Sequence, residues 1–167
     1  MKNAILEIAS LEDCLTIYTP PSTTVEQVRA KARLLKARGA IDLIVVDYLQ
    51  LLSVTGRYDG KENVKISQIS RGLKMMAVEL GVPVLTLSQF SRDGAKAEVP
   101  KLHHLRDSGA IEQDANVVLF IHQEPKANPW ERVLIVAKRR NGGRLPIQLR
   151  FDGPRFDFSG VTGAATL

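Results

Sequence analysis

The sequence of 167 residues predicts an α/β domain with a mostly parallel sheet flanked by helices. Short apolar runs alternate along the chain with longer segments in which apolar residues recur at helical spacing. Several of these runs end in a polar residue, as strands do where they reach the edge of a sheet. In the last third of the chain, apolar runs are separated by glycine-rich turn signals, which predict added antiparallel strands.

The composition indicates a soluble cytoplasmic protein without a membrane partner. Hydrophobic residues make up 44% of the chain and charged residues 25%, and the net charge of +5 favours polyanionic partners. The single Cys14 excludes an internal disulfide and a cysteine-based zinc site. No apolar run approaches the roughly 18 residues that a membrane span requires. Glu7, Glu12 and Asp13 interrupt any apolar core of a signal peptide.

The first elements are a short strand at Leu15–Tyr18 and a helix. Thr23 and Glu26 have the spacing of a capping box, which predicts where the helix begins. Gly39 is a suitable C-terminal cap. One helix face is basic, and it is either a solvated face or a nucleic-acid contact. Its cations are Arg29, Lys31, Arg33, Lys36 and Arg38.

The apolar run Ile41–Leu52 predicts a strand that is buried on both faces of a parallel sheet. It carries Asp47 at the expected carboxyl end, where ligands bind in open α/β sheets. In P-loop nucleotidases this arrangement is the Walker B element, whose aspartate helps to hold Mg²⁺. The alternative is an ordinary strand end with a solvated aspartate.

A second strand–helix–strand passage follows Asp47. A polar loop at 53–63 leads to a helix that Gly81 closes. Its periodic apolar residues are Ile66, Ile69, Leu73, Met76 and Leu80. The next strand, Val84–Ser88, delivers Gln89 to the same sheet edge as Asp47. Gln89 there could hydrogen-bond a terminal phosphate, and the alternative is an ordinary surface glutamine.

The late strands bracket a basic turn, Lys138–Gly143, in which Asn141 and Gly142 suit a tight reversal. The predicted strands are Val117–Ile121, Arg132–Ala137 and Pro146–Phe151. Lys138 and Arg140 on this turn could reach phosphate oxygens, which arginine contacts in a bidentate manner. The alternative is a solvated basic turn.

The segment Arg106–Gly109 combines a cation, a carboxylate, a hydroxyl and a glycine ahead of a helix-like stretch. Gly109 could let the backbone approach a nucleic-acid phosphate, and Arg106 could neutralise that phosphate.

Four of these segments occur in an order that resembles the C-terminal, RecA-like motor domain of the DnaB-type replicative DNA helicases. They are Asp47–Leu51, Leu87–Gln89, Arg106–Ala115 and Lys138–Gly142. The resemblance implies a P-loop NTPase fold: a mostly parallel sheet flanked by helices, with antiparallel strands added near the C-terminus. It also implies that the first strands of that core are missing. The resemblance runs from about Leu15 to about Phe158. The partial motor domain is expected to span 1–160, and 161–167 is expected to be a flexible tail.

The resemblance also implies a role for each matching residue in binding ATP with Mg²⁺. Asp47 would be the Walker B carboxylate that holds the ion indirectly, and Gln89 would sense the γ-phosphate. Lys138 and Arg140 would act in trans, as catalytic cations at the nucleotide of the neighbouring subunit. Arg139 would line that nucleotide site, at a position where glutamine is usual in the family.

Partners follow from the same resemblance. Arg106, Asp107 and Gly109 would grip single-stranded DNA in the channel of a homo-hexameric ring. Neighbouring helicase subunits, primase and a helicase loader would be the protein partners.

The printed sequence contains no Gly-x-x-x-x-Gly-Lys-Ser/Thr, the phosphate cradle of this fold, and no match to the family's catalytic glutamate. We therefore expect a partial motor domain that does not hydrolyse ATP alone. The alternative is a non-catalytic module that binds single-stranded DNA or docks on an intact helicase subunit. A third interpretation, another RecA-like ATPase, fits Asp47–Leu51 less well.

Overall fold

The computed structural model describes residues 14–55, 60–91, 94, 97–105, 108–143 and 145–161. Within these ranges the helices are α1 (Val25–Ala37), α2 (Glu62–Leu80) and α3 (Ser108–Asp114). The strands are β1 (Ile44–Val46), β2 (Val84–Thr86), β3 (Val117–His122), β4 (Glu131–Arg139), β5 (Ile147–Asp152) and β6 (Asp157–Gly160). Short 3₁₀ turns lie at Leu49–Leu51, Leu102–His104 and Gly153–Arg155.

The strands form a parallel pair and an antiparallel meander. β1 and β2 run parallel, with Ile44 opposite Val84 and Val46 opposite Thr86. The strands β3, β4, β5 and β6 pair in sequence order, each antiparallel to the next. This arrangement confirms the predicted α/β fold with antiparallel strands added late in the chain.

Helix α1 begins one residue later than its capping signal predicts. Thr24, not Thr23, is the N-cap: its hydroxyl accepts from the Gln27 N–H at 3.3 Å, and its own N–H donates to the Gln27 side chain at 2.9 Å. The carbonyl of Thr23 is instead taken by the Ser53 N–H at 2.8 Å, which ties the helix entry to the chain after β1. Gln27, three residues after the N-cap, completes the capping box in place of the expected Glu26, because either glutamine or glutamate can accept the N-cap N–H.

The hydrophobic core lies where α2 packs against α1, the strands and the turn that follows β1. The predicted apolar stripe of α2 is confirmed, because its first four members are almost fully enclosed: Ile66, Ile69, Leu73 and Met76. Val118 and Phe120 of β3 join this core, and the ring of Phe120 lies 5.2 Å from that of Phe90. The antiparallel meander is thereby packed onto the parallel core.

Two expectations about strands are wrong. Leu15–Tyr18 has no regular structure, and Ile17 is 76% exposed, because among the described residues no strand pairs with it. β1 is buried on one face only, since Ile44 and Val46 lie in the core while Val45 is 54% exposed.

Strands β2 and β3 also expose apolar side chains. Leu85 of β2, which pairs with Val45, is about half exposed, and so are Leu119 and Ile121 of β3. The described part of the chain therefore presents exposed apolar side chains on its strands. None of the helices in the described ranges is both long and apolar enough to cross a membrane.

Candidate functional site

Asp47 directly follows β1, at the carboxyl end of the parallel pair, and its side chain is exposed. The backbone on either side of it is held against β2: the Leu87 N–H donates to the Val46 carbonyl at 3.0 Å, and the Leu49 N–H donates to the Leu87 carbonyl at 2.9 Å. The peptide bond between Asp47 and Tyr48 is cis. Leu49 then inserts into the core with 1% of its surface exposed. The carboxylate is therefore presented from a segment that is fixed on both sides.

Gln89 lies just beyond the carboxyl end of β2 and is also exposed. The segments after the two strands are linked, because the Gln50 side-chain amide donates to the Ser88 hydroxyl at 3.0 Å. Lys65 of α2 donates to the Gln50 carbonyl at 3.2 Å and adds a third element to this link. The parallel register thus brings Asp47 and Gln89 to the same sheet edge, as expected. Their chemical roles stay predictions.

Two of the basic residues, Lys138 and Arg139, lie on a strand rather than on a turn, which corrects the sequence prediction. β4 continues to Arg139, and Lys138 and Arg139 pair with Val118 and Val117 of β3. β4 pairs with β5 only as far as Leu134. Its pairing with β3 continues to Arg139, and this pairing extends the strand into the predicted turn. Arg140 follows the strand directly.

Lys138 and Arg140 bind the last turn of α3. The Lys138 ammonium donates to the carbonyl of Glu112, and the Arg140 guanidinium donates to the carbonyl of Gln113 at 2.6 Å. The last carbonyls of a helix have no partner within the helix and lie at its negative end, so cations are favourable there. Among the hydrogen bonds and ion pairs of the described residues, neither cation contacts Asp47 or Gln89.

An anchor for α3 was not foreseen from the sequence. The Asp114 carboxylate accepts from the Ser70 hydroxyl at 2.9 Å and from the Arg71 guanidinium at 3.3 Å. A signal was available: Ser70 interrupts the apolar stripe of α2, and a buried hydroxyl requires a hydrogen-bond partner. Sequence alone does not show which residue that partner is.

The three predicted DNA-binding residues are only partly described. Arg106 and Asp107 lie outside the described residues, as does 56–59 of the predicted polar loop. Gly109 is the second residue of α3, and a Cβ placed there would meet no atom within 4 Å. No contact within the described chain therefore requires glycine at this position. Of the predicted tail, 162–167 lies outside the description as well.

The described side chains fit Mg²⁺ only when other ligands complete its coordination. No group of three or more histidine, cysteine, aspartate or glutamate residues comes together in the described ranges. Mg²⁺ in phosphate-transfer sites is commonly held by one or two carboxylates, with substrate phosphates and water as its remaining ligands. An exposed carboxylate such as Asp47, at a strand end, suits that kind of site.

The chain matches one family model over nearly its whole length. Residues 1–160 match the DnaB-like helicase C terminal domain. The protein is 42% identical over 146 residues to the replicative DNA helicase DnaB of Leifsonia xyli subsp. xyli, covering 83% of this chain and 32% of that protein. It is 41% identical over 138 residues to the replicative DNA helicase DnaB of Geobacillus stearothermophilus, covering 78% of this chain and 30% of that protein. The chain thus spans about a third of the length of these curated relatives.

Solved structures agree with the sequence relatives. A DnaB-like replicative helicase, described together with its interactions with primase, superposes with a TM-score of 0.86 at 32% identity, covering 96% of this chain and 40% of that one. A second solved structure, described as an ATPase domain, superposes with the same TM-score and identity over 96% of this chain and 58% of that one. The RecA-like layout expected from the sequence is confirmed by these superpositions. The chain belongs to the family of DnaB-like helicase C-terminal domains.

Proposed function

We propose that this chain forms part of the ATP-driven motor of a replicative DNA helicase, which unwinds duplex DNA by moving along single-stranded DNA as a hexameric ring. The observation that carries the proposal is the parallel register that brings Asp47 and Gln89 to one sheet edge. The match of 1–160 to the helicase family supports it.

ATP with Mg²⁺ is the proposed ligand at this edge. Asp47 would help to hold the ion, which would neutralise phosphate charge when bound. Gln89 hydrogen-bonds the terminal phosphate, and its link to the neighbouring segment runs through Ser88 and Gln50. A phosphate contact at Gln89 is thereby transmitted to the backbone that carries Asp47.

The basic end of β4 is proposed to serve the nucleotide of a neighbouring subunit in a homo-hexamer. Lys138 and Arg140 stabilise negative charge that develops during phosphoryl transfer, and Arg139 lines the same nucleotide site. Arg139 and Arg140 are exposed, and Lys138 is partly exposed, so all of them can reach a partner.

Single-stranded DNA is the proposed nucleic-acid partner, bound by Arg106, Asp107 and Gly109. Gly109 is exposed in the first turn of α3, so its backbone is accessible to a DNA phosphate. Primase and a helicase loader are proposed as protein partners, the former by analogy with the structural relative that interacts with primase.

The alternative is a non-catalytic module that binds single-stranded DNA or docks on an intact helicase subunit. The net charge of +5, which favours polyanionic partners, and the exposed side chains of Arg139 and Arg140 support it.

A chimera separates the two proposals. Residues 14–160 replace the matching segment of the Leifsonia xyli helicase, which supplies a complete motor. The motor proposal predicts that the chimera hydrolyses ATP and that DNA stimulates this hydrolysis. Asp47→Ala in the chimera should lower kcat by about 100-fold or more, a loss typical of removing one preorganised electrostatic contact. The matched control is Asp42→Ala, which removes a carboxylate at the amino end of the same strand segment.

Hydrolysis that is equally fast in both variants would contradict the motor proposal. A folded chimera without hydrolysis, together with salt-sensitive single-strand binding by the 167-residue chain, would favour the module instead. Binding that does not weaken between low and high salt would count against a phosphate-contacting module.

A further inference from the structure

Helix α3 ends in a carboxylate, where the helix dipole disfavours negative charge. Asp114 is its last residue, and the carboxyl end of a helix carries a negative partial charge. The side chain is only 12% exposed, so solvent does little to reduce this repulsion. Its position therefore requires compensating partners.

Those partners come from α2 and attach the end of α3 to the middle of that helix. Ser70 and Arg71 donate to the two carboxylate oxygens, at 2.9 Å and 3.3 Å. Lys74, one turn further along α2, donates to the side-chain oxygen of Asn116. Asp114 and the residue two positions later are thus both attached to the same face of α2.

The carbonyls of the turn that ends at Asp114 hold the side chains of Lys138, on β4, and Arg140, just beyond it. Glu112 accepts from Lys138, and Gln113 accepts from Arg140. The Arg140 N–H also donates to the Asn116 carbonyl at 3.1 Å, which fixes the backbone at the end of β4 to the same place. A lysine side chain has several rotatable bonds and loses much conformational freedom when it is held.

We propose that Asp114 is a positioning residue for Lys138 and Arg140. By attaching the last turn of α3 to Ser70 and Arg71, it places the carbonyls of Glu112 and Gln113 where they order the two cations. This inference rests on the proposed role of these cations at a phosphate. The phosphate would replace the two carbonyls as the hydrogen-bond acceptor of the cations. The carbonyls provide a resting site that the phosphate replaces.

The test measures how fast an amine-acylating reagent modifies Lys138 in the intact 167-residue chain, with peptide mass spectrometry as the readout. Asp114→Ala should raise the Lys138 rate by about fivefold, the factor that one net hydrogen bond contributes to an equilibrium. The exposed Lys126 provides the internal reference and should not change. Asp114→Asn, which keeps an oxygen for the Ser70 hydroxyl, should restore part of the protection.

Two further variants separate positioning from general loss of stability. Ser70→Ala removes one donor to Asp114 and should raise the Lys138 rate by a smaller factor. Thr24→Ala weakens the N-terminal cap of α1, remote from α3, and should leave the rate unchanged. An Asp114→Ala chain that stays folded by circular dichroism and keeps the wild-type Lys138 rate would overturn the inference.

Inorganic tripolyphosphate, added as a phosphate probe, tests the proposed function separately. In the wild type it should slow acylation of Lys138. Because the carbonyls compete with the phosphate for this cation, the concentration for half protection should fall about fivefold in Asp114→Ala and return toward the wild-type value in Asp114→Asn. Absence of protection at any concentration would count against the phosphate role of Lys138. Protection with the same midpoint in every Asp114 variant would overturn the positioning role while leaving the phosphate role in place.

Discussion

Leu49→Ala tests whether core burial fixes the segment that presents Asp47. Leu49 is 1% exposed, in the turn Leu49–Leu51, which packs against α2. Truncating a buried leucine to alanine costs about 2–5 kcal/mol, through lost transfer free energy and the cavity left behind. We expect about 3 kcal/mol, because the neighbouring stripe of α2 belongs to a regular helix that cannot collapse into the space.

Leu51→Ala is the matched control, since the same substitution in the same turn removes a side chain that is 61% exposed. Its effect should stay within about 0.5 kcal/mol, as for most surface substitutions. The assay is urea unfolding followed by circular dichroism. With an m-value of about 1.5 kcal/mol/M, the midpoint of Leu49→Ala should fall by about 2 M and that of Leu51→Ala by under about 0.4 M. Equal shifts for the two variants would refute the argument that Leu49 anchors this segment.

Three other predictions concern the open sheet face, a glycine turn and a titrating carboxyl. Leu119→Lys adds charge to the exposed apolar face of β3, so sedimentation velocity should show less self-association than in the wild type. Unchanged self-association would contradict the view that this face mediates contact between copies of the chain. Gly142 has φ +119°, so Gly142→Ala should lower the free energy of unfolding in urea by about 1–3 kcal/mol. Gly143→Ala should lower it by less. Equal losses in the two variants would show that the turn adapts to a side chain at Gly142. The Asn128 side-chain amide and the backbone N–H of the same residue both donate to the Glu131 carboxylate and lower its pKa. The stability that these hydrogen bonds contribute is complete above the ordinary pKa range of a carboxyl group. It is lost as the pH falls through the lowered pKa. Asn128→Ala should move the Glu131 pKa upward in an NMR titration, and an unmoved pKa would exclude the amide as the main cause.

Local patterns in the sequence predict much of the fold without reference to tertiary contacts. The apolar stripe of α2 and the positive φ of Gly39 and Gly81 beyond helix ends depend on residues that are near each other in sequence. The error in the N-cap of α1 has a tertiary cause, since the Thr23 carbonyl pairs with the distant Ser53. The antiparallel order of the late strands was expected, but the predicted tight reversal at Asn141 and Gly142 is wrong, because the pairing of β4 with β5 ends at Leu134 and Ile147. The extent of β4 was not expected either, because β3 sets it.

The candidate site divides in the same way. Asp47 and Gln89 could be assigned to one sheet edge because parallel strands place their carboxyl ends together. The side-chain partners of Lys138 and Arg140 could not be assigned, since the carbonyls they bind are 26 and 27 residues away along the chain. Ser70 and Asp114 are separated by 44 residues, and no local pattern pairs them.

The order of helices and strands from α1 to β5, the likeness to the replicative helicases and the strand end that carries Asp47 could all be established from the amino-acid sequence. These features follow from hydrophobic periodicity, turn chemistry and short motifs, which are local in the chain. Two features required the packed chain: one sheet face is left exposed, and the basic residues at the end of β4 rest on α3. Both depend on which distant surfaces meet, because burial and hydrogen-bond partners are properties of the folded molecule rather than of any single segment.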